Sequence, residues 1–251
     1  GKKVKMSEKV NFGSTKVLKT KKIKLVSDIF SSVSNKYDLM NDAMSLGLHR
    51  LWKERMYDIS KLKNTDNVLD LATGTGDIAL KYLSKKASIN ITCLDENQEM
   101  LDICKNRLID NGFVKNITFI KSPAETAKLI KNNYSLATVA FGFRNFTDHS
   151  KALKNIYDSI LPGGRLIIME FTTPKNLLIK NIFEKYTHFM IPRMGKILAD
   201  DYDSYRYLAE SIATYYSPEE VTEMFSETGF INTRYETLVG NMVTIHIGFK
   251  C

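Results

Sequence analysis

The acids and glycines around position 74 are the first side chains in this sequence with the types and spacing of a ligand site. Asp70 closes an apolar stretch, Gly74 and Gly76 follow in a tight turn, and apolar residues then recur at helical spacing from Ile78. Strand, glycine turn and helix in this order are typical of a nucleotide-binding α/β sheet, because glycines let the backbone approach a ligand. Asp95 ends the next predicted strand about twenty residues later, where a carboxylate can bind ribose hydroxyls.

The glycine turn fits two kinds of cofactor. Gly74-x-Gly76-x-x-Ala79 matches the dinucleotide pattern G-x-G-x-x-A. The same turn, preceded by Asp70, also matches the looser Asp-x-x-x-Gly-x-Gly turn of S-adenosylmethionine (SAM) methyltransferases. Asp70 is placed to pair with the cationic methionine end of SAM, which favours the second interpretation, whereas Asp95 suits the ribose of either cofactor. A third interpretation is that both acids only cap helices.

Length and composition indicate one soluble α/β domain. The chain has 251 residues, of which 43% are hydrophobic and 25% charged, values that are ordinary for a globular protein with a full core. No apolar run reaches the ~18–20 residues of a membrane span, and no segment has the pattern of a signal peptide. The three cysteines are scattered, without metal-ligand or disulfide spacing. We therefore expect a cytoplasmic protein without a metal.

Positive charge is concentrated at the start of the chain. The net charge is +8, and lysines are frequent in residues 1–24. We expect this segment to be a solvated, partly disordered arm. The lysines are not interleaved with a series of aromatic residues that would stack on bases, so nucleic acid is not an expected partner.

Further polar groups follow the later strands of the predicted sheet. Residues 117–120 and 135–141 read as strands, followed by Ser122-Pro-Ala-Glu125 and Gly142-Phe-Arg-Asn145. Ligands bind beyond the carboxyl ends of such strands, which places the Arg144 guanidinium and the Asn145 amide at the mouth of the cleft. Residues 165–171 form a fifth strand, with Glu170 at its end.

The C-terminal strands set the expected fold class. Residues 230–238 and 243–249 alternate as two antiparallel strands after a helix with a Ser217-Pro-Glu-Glu220 start. A mostly parallel, seven-stranded Rossmann-like sheet closed by a C-terminal antiparallel hairpin is expected of class I SAM-dependent methyltransferases. A standard dinucleotide domain would continue with parallel units instead. Residues 25–251 are thus predicted to form a single domain.

Two helical segments are predicted outside the sheet. Residues 25–60 form a helical N-terminal cap, which either closes over the ligand cleft or only packs against a sheet edge. Residues 175–212 form an insertion, and its first part carries a wide apolar helical face flanked by lysines and an arginine. Such a face suits a core helix, or a substrate lid that contacts lipid.

Several motifs resemble a known family. Tyr37-Asp-x-Met-Asn-x-x-Met-Ser-x-x-x-His49-x-x-Trp52 resembles the N-terminal signature of the UbiE/MenG/COQ5 family, the C-methyltransferases of ubiquinone and menaquinone biosynthesis. The stretches 141–148, 161–171 and 204–212 resemble its other motifs, and the likeness runs from about residue 25 to the end. On the cofactor side, Thr73 replaces a usual Gly and Ser122-Pro123 replaces a usual Ala-Asn.

The resemblance implies the cofactor and the residues that bind it. SAM would contact the glycine turn, Asp95 would hold its ribose, Pro123 and Ala124 would flank its adenine, and Ala140 would lie under its methionine end. The expected cofactor-binding residues are therefore Asp70, Thr73, Gly74, Thr75, Gly76, Asp95, Pro123, Ala124 and Ala140.

The resemblance also implies the methyl acceptor, a polyprenylated benzoquinol or naphthoquinol at the membrane surface. Its ring carbon becomes nucleophilic when the neighbouring hydroxyl loses a proton, so the enzyme must align the reactants and stabilise an anion. Arg144 and Asn145 are the first catalytic candidates; Arg144 would stabilise the anion because arginine stays protonated. Tyr37 and His49 are second candidates, the latter for its pKa. The family further suggests a homodimer or a quinone-biosynthesis complex at the inner membrane face.

Other classes of protein remain open at this point. An NAD-dependent oxidoreductase would use the same glycine turn, but it would leave the Tyr37–Trp52 motif unexplained. An RNA methyltransferase would use the basic arm, but those acting on amino groups carry an Asn-Pro-Pro-Tyr-like motif that is absent here. A non-catalytic subunit with the SAM-binding fold is a third alternative.

Overall fold

A computed structural model describes residues 9–33, 41–42, 45 and 47–251 of the chain. Its strands and helices alternate in the order expected of an α/β domain. In chain order they are β1 (Lys9–Phe12), β2 (Thr15–Leu18), α1 (Lys19–Val33), α2 (Leu48–Ser60), β3 (Asn67–Leu71), α3 (Asp77–Lys85), β4 (Asn90–Asp95), α4 (Gln98–Asp110), β5 (Ile117–Lys121), β6 (Tyr134–Ala140), α5 (His149–Ser159), β7 (Ile160–Phe171), α6 (Leu177–Lys185), α7 (Ile191–Ala199), α8 (Tyr202–Ala213), α9 (Pro218–Thr228), β8 (Ile231–Leu238) and β9 (Val243–Phe249).

The central sheet has seven strands in the order β5-β4-β3-β6-β7-β9-β8. The first five are parallel, whereas β9 runs antiparallel to β7 and β8 antiparallel to β9. The predicted class I methyltransferase sheet with its C-terminal hairpin is therefore confirmed. From β3 the chain adds β4 and then β5 on one side, and it then returns to add β6 on the other side of β3. The order therefore reverses between β3 and β6, and ligands bind at such a point in open α/β sheets.

Helices cover both faces of this sheet and bury two apolar clusters. On one face α2, α3 and α4 pack around residues such as Met56, Tyr82 and Cys104. On the other face α5 and α9 pack around Leu153 and Phe225. Strand β3 is buried on both faces, which accounts for its mostly apolar sequence. Asp70 is a charged residue at one of its buried positions, which points to a role in the site.

The N-terminal segment differs from the predicted flexible arm. Residues 9–18 form the hairpin β1–β2, and α1 begins directly at Lys19. The hairpin packs on α8, where the Phe12 ring stacks on Tyr207 at 4.4 Å and Ser14 donates two hydrogen bonds of 3.0 Å to Glu210. Residues 9–24 are thus hairpin and helix in this structure, and the frequency of lysines gave no sign of these contacts. Residues 1–8 lie outside the described part.

From the sequence, Leu161-Pro-Gly-Gly164 reads as a turn before the fifth strand, but in the structure it belongs to β7, which begins at Ile160. The backbone N–H of Gly163 donates to the carbonyl of Lys250 at 2.7 Å, and that of Lys250 donates to Gly164 at 2.9 Å. Pairing with the chain end therefore extends the strand through a stretch whose Pro and Gly residues indicate a turn. The register against β6 shifts at this point.

The insertion after β7 is a nearly continuous helix that folds back on itself. Asn176 caps α6 through its side chain, a π-helical turn at Tyr186–Met190 joins α6 to α7, and Asp200 ends α7 in the left-handed conformation. Gly195 permits close packing of α7 on α8, because a Cβ there would lie 2.3 Å from the Tyr205 ring. Within the described ranges, no helix is long and apolar enough to cross a membrane.

Candidate active site

The glycine turn after β3 depends on backbone conformations that favour glycine. Gly74 and Gly76 have φ of 55° and 84°, and the Gly76 N–H donates to the Thr73 carbonyl at 2.9 Å. A Cβ on Gly76 would lie 2.6 Å from the Cys104 sulfur, whereas a Cβ on Gly74 would meet nothing within 4 Å. Gly76 therefore lets α3 pack on α4, and Gly74 keeps open the space above the turn.

Asp70 lies beneath this turn with its carboxylate fully enclosed. It accepts hydrogen bonds from the Thr73 hydroxyl at 2.6 Å and the Thr138 hydroxyl at 2.8 Å. Burial raises its pKa to about 6, although both hydroxyls favour the ionised form. Asp70 is not a helix cap, since Gly76 occupies the N-cap position of α3.

Asp95 connects the glycine turn to the start of α4. Its carboxylate accepts from the backbone N–H of Gly74 and from that of Asn97, both at 2.9 Å. Asn97, rather than Asp95, is the N-cap of α4. Burial raises the pKa of Asp95, and burial together with the neighbouring Asp95 and Glu125 raises that of Glu96 to about 7.

The predicted cofactor residues border two adjoining cavities. The larger one, of about 600 Å³, is lined by Asp70, Thr73 and Thr75; the smaller one, of about 60 Å³, by Asp95, Pro123 and Ala124. Both are lined by Gly74 and Ala140, together with Phe30, Ala72 and Phe141. Gly76 lines neither, so its part in the site is to shape the turn.

Arg144 lines the larger cavity but is tied firmly to the protein. Its Nη1 donates to Glu170 Oε1 at 2.8 Å and to the Phe141 carbonyl at 2.6 Å, and its Nε donates to the Ser211 hydroxyl at 3.1 Å. Nη2 has no hydrogen-bond acceptor among the described residues. The guanidinium is thus oriented by its neighbours and keeps one nitrogen for a ligand.

Asn145 lines the smaller cavity, not the larger one that Arg144 lines. The two residues share the 3₁₀ turn at Phe143–Asn145, in which successive side chains point in different directions. The Asn145 Oδ1 accepts from the Tyr207 hydroxyl at 3.0 Å. Its Nδ2 is buried and has no hydrogen-bond partner in the described part of the chain. Arg144 and Asn145, which the sequence places together at the cleft mouth, are thus both buried and line different cavities.

His49 lines the larger cavity with both ring nitrogens engaged. Nε2 lies 2.7 Å from Asp42 Oδ1, and Nδ1 lies 2.9 Å from the Lys53 ammonium. In this arrangement neither nitrogen is available as a base, which weakens the predicted role of His49. The other second candidate, Tyr37, lies outside the described residues.

Sequence reasoning missed a buried lysine in the same wall. Lys53 is only 7% exposed, lines the larger cavity and hydrogen-bonds to Asp77, which also pairs with Arg107 at 2.6 Å. Lys53 lies four residues after His49 on one helix face. That spacing, and the position of Asp77 directly after the glycine turn, were the signals that could have revealed it.

Apolar side chains from both predicted cover segments form the remaining walls. Phe30, Leu48 and Trp52 come from the N-terminal helices, and the insertion contributes Ile179, Ile182, Phe183, Tyr186, Ile191, Leu208 and Ile212. The Trp52 ring lies 6.0 Å from Phe141 and 6.1 Å from Phe171. The cavity thus has one polar end at the glycine turn and a long apolar body.

Comparison with known sequences identifies the family. A sequence model of the ubiE/COQ5 methyltransferase family matches residues 15–250. The chain belongs to this family. The ubiquinone/menaquinone biosynthesis C-methyltransferase UbiE of Marinomonas sp. is 41% identical over 241 residues, 96% of either chain. UbiE of Wigglesworthia glossinidia brevipalpis is 40% identical over 251 residues, 98% of this chain and 100% of the relative. The family resemblance noted in the motifs is confirmed.

Solved structures confirm the fold. A SAM-dependent methyltransferase from Aquifex aeolicus superposes with a TM-score of 0.56 at 20% identity, covering 79% of this chain and 89% of the other. A Haemonchus contortus phosphoethanolamine N-methyltransferase in complex with SAM gives 0.60 at 13% identity, covering 79% and 52%. These structures confirm the SAM-dependent methyltransferase fold. The family match favours this class over the NAD-dependent and RNA-directed alternatives.

Proposed function

We propose that this protein transfers the methyl group of SAM to a ring carbon of a polyprenylated quinol. The acceptor is 2-polyprenyl-6-methoxy-1,4-benzoquinol, demethylmenaquinol or both. The observation that carries the proposal is the 600 Å³ cavity, which joins a SAM-type glycine turn to an apolar body suited to a prenyl chain. The UbiE relatives are named for ubiquinone and menaquinone biosynthesis, which agrees with this acceptor.

The residues at the polar end fit SAM. The open space above Gly74 accommodates a ligand close to the backbone, and the Asp95 carboxylate, now bonded to two backbone N–H groups, is available to ribose hydroxyls. Pro123 and Ala124 border the smaller cavity as apolar surfaces for an adenine ring. When bound, SAM supplies an electrophilic methyl group on a sulfonium centre.

Arg144 is placed to stabilise negative charge on the acceptor. Arginine side chains stay protonated in proteins, so Arg144 is unsuited to act as a base, and Glu170 orients its guanidinium. Its Nη2 would donate a hydrogen bond to the quinol oxygen once the hydroxyl proton has passed to solvent and left an anion. A preoriented donor in a site that excludes water stabilises such an anion more than water does. The aromatic rings of Trp52, Phe141 and Phe171 provide flat surfaces for the quinol ring.

The proposal is tested by methyl transfer from labelled SAM to short-chain acceptors. Demethylated benzoquinol and demethylmenaquinol would be supplied separately, each in reduced and oxidised form. We expect label in the ring of at least one reduced acceptor and none in the oxidised quinones, since only the hydroxyl form can generate the nucleophilic anion. SAM binding without transfer to either quinol would contradict the proposed acceptor and leave the fold assignment intact.

We further propose that the enzyme works on a membrane surface, with the outer lid surface against the lipid. This surface consists of the exposed apolar residues Leu177, Leu178, Ile182, Phe189, Met190 and Ile197. Residues 175–198 also contain five Lys or Arg and one Glu, a net charge of +4. Exposed apolar residues mixed with cations suit an anionic bilayer. Ile182 belongs both to this surface and to the cavity lining, so a lipid substrate would enter nearby.

Co-sedimentation with vesicles tests the membrane proposal. Leu178→Ser combined with Ile197→Ser changes two exposed residues outside the cavity lining, and Val114→Ser, at a site 66% exposed, is the control. We expect binding to vesicles with phosphatidylglycerol that the double variant loses and the control keeps. Equal binding by all three proteins contradicts the proposed surface. A homodimer or a quinone-biosynthesis complex using this face would instead show as a larger mass in light scattering, abolished by the same double substitution.

A further inference from the structure

A buried positive charge lies in the cavity wall beside the glycine turn. Lys53 extends from α2, and its ammonium contacts Asp77 at the start of α3 and the Nδ1 of His49 at 2.9 Å. Its side chain is 9% exposed. Thr73, Gly74 and Thr75 line the same cavity. Lysine is rarely buried unless its charge is paired, so the groups around the ammonium decide what it can bind.

The carboxylate that pairs with Lys53 is shared with a second cation. Asp77 lies between the Lys53 ammonium and the Arg107 guanidinium, whose Nη1 lies 2.6 Å from Asp77 Oδ1. Burial alone would raise the pKa of Asp77, but the two cations hold it below its usual range and keep it ionised. Asp77 therefore does not pair with Lys53 alone. His49, the second partner of the ammonium, brings no negative charge.

The backbone adds to the positive potential at this place. Asp77 is the first residue of α3, a helix of nine residues, and the preceding turn has Gly76 at the N-cap position without a side-chain cap. The amino end of a helix carries a partial positive charge. A buried ammonium in the cavity wall beside a helix amino end is a favourable place for an anionic group of a ligand.

We propose that Lys53 binds the α-carboxylate of the amino-acid end of SAM and of its product S-adenosylhomocysteine (SAH). This inference rests on the proposed function only in taking SAM as the ligand. The Lys53 ammonium has three N–H donors, of which Asp77 and His49 engage two. The third donates to the carboxylate, while Asp77 keeps the ammonium at the cavity wall. Lys53 is thereby a cofactor-binding residue that also determines which adenosine compounds the site prefers.

Binding calorimetry with two ligands tests this role directly. SAH carries the α-carboxylate, whereas 5′-methylthioadenosine keeps the nucleoside and sulfur but lacks the amino-acid group. We expect Lys53→Met to weaken SAH binding by about 10–100-fold, the range of one hydrogen bond between charged groups. The same substitution leaves the affinity for 5′-methylthioadenosine unchanged, and Lys53→Arg retains most of the affinity for SAH.

Lys81 provides a matched control. Its ammonium hydrogen-bonds to Glu54 and so also joins α3 to α2, but it does not line the cavity. Lys81→Met should leave the ratio of the two affinities at the wild-type value. If Lys53→Met weakens both ligands equally, Lys53 only holds the two helices together and the inference is overturned. Wild-type binding of SAH without methyl transfer to any quinol would count against the proposed substrate and leave the Lys53 assignment standing.

Discussion

Arg144 and Glu170 form a salt bridge of 2.8 Å in the protein interior, with side chains that are 5% and 0% exposed. The Glu170 carboxylate also accepts from the backbone N–H of Arg144 at 3.2 Å and from that of Phe171 at 2.9 Å. The pair therefore joins the 3₁₀ turn after β6 to the end of β7. It fixes the position of the guanidinium that borders the cavity beside Phe141.

The first prediction separates the structural role of this pair from its catalytic role. Arg144→Met leaves the Glu170 carboxylate buried without its cation, so we expect the free energy of unfolding to fall by about 3–5 kcal/mol. Adding Glu170→Gln removes the uncompensated charge and should restore much of that loss. Methyl transfer should stay at least ~10²-fold below wild type in both variants, because the anion has lost its donor. Urea unfolding and labelled-methyl assays measure the two effects.

The Glu170→Gln single variant completes this double-mutant cycle. Non-additive stability losses are expected, since each single change removes the partner of the other residue. Additive losses would show that the two side chains act independently. Methyl transfer at the wild-type rate by the double variant would remove Arg144 from the mechanism.

The second prediction concerns the pH dependence of stability through Asp70. Its pKa is about 6 in the folded protein and about 3.9 in an unfolded chain. The folded state therefore binds the proton more tightly, and the contribution of this group to stability falls as pH rises from about 4 to about 6. The expected loss is on the order of 3 kcal/mol. Urea unfolding at several pH values, with wild type and Asp70→Asn compared, measures it.

Asp70→Asn should flatten the stability profile in this window, because the asparagine does not ionise. Other groups that titrate there are common to both proteins, so the difference between the two profiles isolates Asp70. Parallel profiles would mean that the carboxylate is already ionised in the folded protein at pH 4, and would contradict the prediction.

The sequence predicted the parts of the site that are built from neighbouring residues. Local periodicity and turn-forming residues predict the β3 strand, the turn at Gly74 and Gly76, and the acid at Asp95. These signals lie between neighbouring residues and can be read from the sequence. The carboxyl ends of parallel strands meet at one edge, so the positions of Pro123 and Arg144 near the cleft also followed.

The sequence did not predict how the charges pair. Lys53 meets Asp77 across 24 positions, and Arg144 meets Glu170 across 26. Neither pair has a periodic signal, because each depends on how a helix or turn docks on the sheet. The hairpin at residues 9–18 was missed for the same reason, since its contacts are with α8, far along the chain.

The third prediction compares the two glycines of the turn. Gly76→Ala places a Cβ 2.6 Å from the buried Cys104 sulfur at a φ of 84°, so we expect a large loss of stability. Gly74→Ala meets no atom within 4 Å and should cost only about 1–2 kcal/mol for the left-handed conformation. The methyl group of Gly74→Ala would, however, project toward the space proposed for SAM.

Calorimetric titration with SAH and thermal unfolding distinguish these effects. Gly74→Ala should weaken SAH binding by more than ~10-fold while the protein remains folded, and Gly76→Ala should unfold well below the wild-type temperature. Wild-type affinity in Gly74→Ala would contradict the proposed position of the cofactor above this turn.

The fourth prediction concerns the unpaired amide of Asn145. Its Oδ1 accepts from the Tyr207 hydroxyl at 3.0 Å, while Nδ2 is buried without a partner among the described residues. Burial raises the pKa of Tyr207 to about 12, so this hydroxyl stays protonated and donates. An unsatisfied buried donor costs stability. Asn145→Leu in a Tyr207→Phe background removes this donor without leaving the Tyr207 hydroxyl unpaired, so comparison with Tyr207→Phe alone isolates the amide.

We therefore expect the double variant Asn145→Leu/Tyr207→Phe to differ from Tyr207→Phe by less than ~1 kcal/mol in the free energy of unfolding, while methyl transfer falls by about 10²-fold. Tyr207→Phe is the control, because it removes the same hydrogen bond and leaves the Nδ2 donor in place; it should retain most of the activity. A loss of several kcal/mol in the double variant relative to this control would show that Nδ2 is satisfied within the protein. Combined with unchanged methyl transfer, that loss would make Asn145 a structural residue. The opposite pattern, stability kept and transfer lost, assigns the free amide to a ligand, and the affinity of the variant for SAH then shows whether that ligand is the cofactor or the quinol.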